Sequence, residues 1–229
     1  MIIKLKDNND LILKKDGMIT EVIDSVNKLA KGHEYVEIGG IKWATMNLGA
    51  TGITDGGILF AWGETNGYLP SQVGTDKAFG WYDYKFNPSG DGSTFTKYKT
   101  TDGYKALAHC DDAVATNWGG AWRMPTYEEA LALSGAVRTV WVEDYQGSGV
   151  NGRLMTDKND STKQLFFPAF GYGYGDSVED EGVSGFYWTS TLYEGDDTSA
   201  SYFGFNSENM DWEYGDFRNN GFCIRGVLK

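Results

Sequence analysis

The chain has 229 residues with 41% hydrophobic and 15% aromatic content, enough apolar material for one large domain with a core of its own. With 31 Gly and only 4 Pro it is neither disordered nor collagen-like, and the Gly and aromatic excess suits short strands joined by tight turns. The formal net charge is -12, and residues 157–217 set thirteen acidic side chains against only Lys158 and Lys163, which excludes nucleic acid and anionic membrane as expected partners.

Residues 1–33 are Lys-rich and lack Trp, Tyr and Phe, so they are read as an appendage for docking or for making a homo-oligomer. Ile2, Ile3 and Leu5 face Leu11 and Leu13 across the turn-rich Asp7-Asn8-Asn9-Asp10, which predicts a small hairpin. Ile19, Val22, Ile23, Val26, Leu29 and Ala30 recur at helical spacing, which predicts a helix over Met18 to Lys31 closed by Gly32. No apolar h-region or membrane span is seen, so the expectation is synthesis in the cytoplasm without a signal peptide and no membrane insertion.

The main domain is expected over 34–229. Tyr35 to Gly49 alternates around Gly39-Gly40 and predicts paired strands. Residues 64–104 show little periodicity and read as a long recognition loop pinned by Trp81, Tyr82 and Tyr84. Asp111 and Asp112 precede a short helix, AVATNW, and are expected to cap its first turn. Thr126 and Glu129 make a capping box for a second helix, with Ala130, Leu131 and Leu133 as its buried face. Short aromatic strands then fill the remainder, and alternation sends Phe203 and Phe205 inward and Tyr202, Gly204 and Asn206 outward.

The segment DDAVATNWGGAWRMPTYEEALAL resembles formylglycine-generating-enzyme-type domains. With GGIKWATMNLGA, LFFPAFGYG, GFYWTST and NNGFCIRGV it looks still more like a paralogous domain common in gut bacteria and their phages. That resemblance implies an α+β, C-type-lectin-like fold. Two helices would pack on short twisted antiparallel sheets, and the loops beside the last strands would form the ligand face.

The enzymatic chemistry of that resemblance is not expected here. It needs a cysteine pair near the C-terminus, and only Cys223 lies there, in Gly-Phe-Cys-Ile-Arg. Cys110 and Cys223 remain either two reduced thiols or one bridge. His33 and His109 read as solvated or capping side chains, and no catalytic residue is named. No metal or other cofactor is assigned, since the sugar-binding signatures of calcium lectins are missing and Glu194, Asp196 and Asp197 read as a solvated acidic loop.

Some members of this group are variable proteins of diversity-generating retroelements, in which adenine-directed mutagenesis rewrites Asn codons to Tyr, Asp, Gly, Ser, Phe, His or Cys. Tyr193, Asp196, Asp197, Tyr202, Gly204, Asn206, Asp211, Tyr214, Gly215, Asp216, Phe217 and Asn219 fit that set, whereas Phe203, Phe205, Met210, Ile224 and Val227 read as fixed core. The same residue types are ordinary in loops, so diversified and undiversified readings both stand. Trp212 is read as either core or ligand-facing. The expected ligand site comprises these outward positions, Gly215 apart, with Trp212, and the expected function is a non-enzymatic display module. Its partner would be a bacterial surface protein or glycan, with a phage virion favoured over an exported adhesin or scaffold.

Overall fold

In the computed structural model, residues 32–228 are described with their side chains; of the first 31, only the backbone of four strands is described. Those four are β1 (Ile2–Lys4), β2 (Asp10–Lys15), β3 (Met18–Asp24) and β4 (Leu29–Ala30). The predicted hairpin is present, with Ile2 opposite Leu13. The predicted helix is not: Met18–Asp24 is a strand that pairs with β2. Its run contains Ile19, Thr20, Val22 and Ile23, and β-branched side chains favour the pleat over the helix they were read as.

β5 (His33–Ile38) and β6 (Ile41–Asn47) form the hairpin read from the sequence, with Ile38 opposite Ile41. The two intervening residues, Gly39 and Gly40, have φ of 62° and 78°, as a two-residue turn that matches strand twist requires. After the long excursion come α1 (Ala113–Trp118), β7 (Trp122–Arg123), α2 (Tyr127–Ala136), β8 (Val137–Val142), β9 (Gly152–Asp157) and β10 (Gln164–Pro168). The chain ends in β11 (Phe170–Tyr174), β12 (Ser177–Glu181), β13 (Gly185–Leu192), β14 (Ser199–Phe205), β15 (Met210–Phe217) and β16 (Arg225–Leu228).

These strands make three sheets: an eight-stranded one ordered β1-β2-β3-β4-β5-β6-β16-β7, a three-stranded β10-β9-β8, and a five-stranded β12-β11-β13-β14-β15. The α+β, C-type-lectin-like expectation is therefore corrected. Among the described residues, two α-helices of six and ten residues stand against sixteen strands, so the protein is mostly β and strand pairing organises it. The two helix starts drew attention because capping is a strong local signal, whereas non-local pairing leaves little trace in sequence.

The caps themselves are as read, with one change. Thr126 Oγ1 accepts from Glu129 N and Glu129 Oε2 accepts from Thr126 N. Ala130 and Leu133 are buried in the core, but Leu131 is exposed. Asp112 Oδ1 caps α1 by accepting from Ala115 N. Asp111 does something else: it accepts from Lys85 Nζ, Lys97 Nζ and the Tyr98 hydroxyl, each at 2.6 Å, and so ties the 64–104 excursion to the domain. Within that excursion Tyr84 is buried and Trp81 packs on the core, while Tyr82 is 90% exposed and its ring lies over Gly90 rather than on the core.

Trp43, Trp62, Trp122 and Trp188 are fully buried, with Tyr187, Phe167 and Phe203 between them. Arg225 is buried among them and lies over the Phe167 ring. It donates to Asn47 Oδ1, to the carbonyls of Ala44 and Thr45, and to the Phe166 carbonyl, so one side chain joins the first sheet to the second. Burial lowers its pKa toward about 10, yet at neutral pH the guanidinium stays charged and its donors are met by oxygens. The cysteines are two free thiols, Cys110 exposed and Cys223 buried.

Candidate functional site

One face of the five-stranded sheet carries a row of aromatic rings. Tyr172 of β11 lies 4.8 Å from Phe186 of β13, Phe186 lies 5.9 Å from Tyr202 of β14, and Tyr202 lies 6.1 Å from Tyr214 of β15, centroid to centroid. Tyr174 extends the row at 6.4 Å from Tyr172. The two ends, Tyr174 and Tyr214, are 56% and 51% exposed, and the three rings between them are half-buried.

Strand geometry makes this row. Successive side chains alternate between faces, and Tyr202 stands directly opposite both Trp188 and Tyr214. Gly204 sits between Phe186 and Tyr202, where an added Cβ would come within 3.0 Å of the Tyr202 ring; the missing side chain leaves both rings their place. The floor is Phe222, fully buried and 5.1–5.9 Å from the rings of Tyr172, Phe186 and Tyr202. It arrives on residues 221–223, which bridge to Gly173 on one side and Tyr187 on the other, filling the gap where β11 and β13 share a single paired position.

Carboxylates surround the row. Burial first, then Asp180, Asp216 and Glu179, raise the Tyr172 phenol above its ordinary pKa; burial first, then Asp216 and Asp211, do the same for Tyr202. Asp216 is itself held above the usual carboxylate range by burial, although it accepts from Phe217 N and Asn220 Nδ2. The face therefore offers flat aromatic area for stacking and carboxylate oxygens at its margin as acceptors.

The expected site residues divide. Tyr202, Gly204, Asp211, Tyr214 and Asp216 share the face of the row. Trp212 does not: its ring stacks on Phe203 at 5.5 Å and belongs to the core side. A bulge explains this, because Tyr202 pairs with Tyr214 and Gly204 with Asp211, so Trp212 and Glu213 together oppose Phe203. Tyr193 packs where a Gly215 Cβ would stand, 2.5 Å from its ring, again away from the row. Phe217 meets Trp81 of the long excursion, ring centroids 5.7 Å apart.

Four others hold their own loops. Asn206 Oδ1 accepts from the backbone of Glu208 and Asn209 and shapes the β14–β15 turn. Asp196 accepts from Thr198 and Ser199, and Asp197 accepts from Thr100 N across to the excursion. Asn219 is buried, with Nδ2 donating to the Phe79 carbonyl, so the expectation that it faces outward is corrected. Gly204 is likewise buried rather than exposed, and Met210, read as fixed core, is only partly buried. The sequence reading missed Tyr172, Tyr174 and Phe186; the alternation in FGYGYG was the signal that could have found them.

Residues 152–227 match the model of a family described as a domain of unknown function (DUF8237). The match runs from β9 into β16 and contains every ring of the row. No curated protein and no solved structure matches the chain. Among the described residues, no group of three or more His, Cys, Asp and Glu is placed to hold a metal ion, and no helix is long and apolar enough to cross a membrane.

Proposed function

We propose that the protein is a non-enzymatic recognition module, a receptor-binding or display protein of a phage or phage-like element, whose ligand face is the aromatic row on β11, β13, β14 and β15. The observation that carries this reading is the continuous series from Tyr174 to Tyr214, open at both ends and bordered by carboxylates. Tyrosine gives rigid, amphipathic contact area with little entropy to lose, and acidic margins favour neutral or cationic surfaces over anionic ones. A bacterial surface glycan or protein of that character is the expected ligand, and retention on whole cells is the test. Replacing Tyr174 and Tyr214 by Ser removes the open ends of the row without touching the core and is expected to weaken attachment strongly.

A second reading, an undiversified surface adhesin or scaffold domain, draws support from Gly204, Asn206, Asp196 and Asn219. Each has a structural task, so free rewriting of these positions would disturb loops or packing. A reverse-transcriptase gene and a near-identical template repeat beside this gene favour the first reading; a lone gene favours the second.

A further inference from the structure

On the side of β14 and β15 opposite the row, a groove of about 410 Å³ opens against the first turn of α2. Its walls bring together Tyr127 and Glu128 from the helix, Tyr193 and Glu194 from the end of β13, Ser201 from β14 and Glu213 from the β15 bulge. No Lys, Arg or His lines it, and among the described residues none of the three glutamates forms an ion pair. Ser201 is only 6% exposed, lines the groove, and its hydroxyl has no hydrogen-bond partner among the described residues. The hydroxyl opens into the groove rather than being sealed from solvent, so an entering donor can reach it.

The helix start does not turn this into an anion site. Two of its first three N–H groups are taken: Tyr127 N donates to Thr191 Oγ1 and Glu129 N to Thr126 Oγ1. Burial first, then the neighbouring Glu213, raises the pKa of the Tyr127 phenol. Tyrosine faces attract cations, and a carboxylate pair accepts the forked donors of a guanidinium.

We propose that this groove is a second binding site, for a guanidinium group, the side chain of an arginine presented by a partner protein. The group enters between the rings of Tyr127 and Tyr193, donates to Glu213 and Glu128, and reaches Ser201 Oγ as a further acceptor. The site is separate from the aromatic row, apart from Tyr214, which borders both.

The test is an NMR titration of the full chain with N-acetyl-arginine amide, with the uncharged isostere N-acetyl-citrulline amide in parallel. Saturable shifts are expected at Tyr127, Tyr193 and Ser201 with arginine only. The exposed pair Glu128→Gln and Glu213→Gln should weaken the arginine probe at least about tenfold, while Glu179→Gln, which removes a charge beside the row instead, changes it by less than about twofold. Melting of each variant near the parent's temperature confirms that the fold is kept. The proposal is overturned if citrulline binds as well as arginine, if Glu179→Gln weakens binding as much as the pair, or if the shifts do not saturate or fall elsewhere. None of these outcomes depends on the ligand of the row, which the cell-binding test addresses separately.

Discussion

Tyr202 and Tyr214 stand directly opposite one another on β14 and β15, their rings nearly parallel at 29° and 6.1 Å apart. That pair couples a half-buried ring to an exposed one, so the stack carries aromatic area from the sheet out to solvent. Tyr202 also meets Phe186, Trp188 and Phe222. Replacing it by Ala should therefore cost about 1–2 kcal/mol, an intermediate value for a half-buried aromatic. Phe203→Ala, next to it but fully buried, should cost about 3–5 kcal/mol. Urea unfolding of the two variants checks the ranking, and equal costs would mean that the strand register is not as described.

The Asp111 cluster predicts acid sensitivity. Burial would raise this carboxyl, but hydrogen bonds from Lys85, Lys97 and Tyr98 outweigh it and hold the pKa at about 2. A folded-state pKa below the unfolded value of about 3.9 means stability that is full above that value and is lost as pH falls through about 2. Asp111→Asn should lower stability at neutral pH by about 2–4 kcal/mol and flatten the acid limb of a pH–stability profile between roughly pH 4 and 2. An unchanged acid limb in the variant would assign the acid sensitivity to other carboxylates.

The thiols should separate cleanly by reactivity. Cys223 is buried, donates to the Gly56 carbonyl, and is pushed up to about 12 by burial; Cys110 is exposed. A maleimide should label one cysteine in the native protein, Cys110, and both after denaturation. Rapid native labelling of Cys223 would mean that the 221–223 segment opens easily.

Much of this was legible in the residues and some was not. The Gly39-Gly40 hairpin, the Thr126–Glu129 capping box and the Asp112 cap each involve residues a few positions apart, and local chemistry suffices to find them. The split of the expected site had no such signal. Whether Trp212 faces core or ligand depends on a bulge one residue long, and the task of Asp111 depends on Lys85 and Lys97 arriving from a loop without periodicity. The row itself needs β11 and β13 brought side by side around residues 221–223, a non-local arrangement that places Tyr172 next to Phe186 and Tyr202. Met18–Asp24 failed for a different reason: apolar spacing over a short run fits both periods, and pairing with β2 decided it.

The central claim is that binding energy resides in the aromatic row. Its most direct test is equilibrium binding to whole bacterial cells by the parent, by the Tyr174→Ser, Tyr214→Ser double variant, and by Tyr82→Ser, which removes a still more exposed tyrosine outside the row. The account predicts that the double variant melts like the parent but binds at least about 30-fold more weakly, as expected when two contact residues each contribute over about 1 kcal/mol, while Tyr82→Ser binds normally. Parent-like attachment by the double variant, with loss in Tyr82→Ser, would contradict it and move the ligand face to the long excursion.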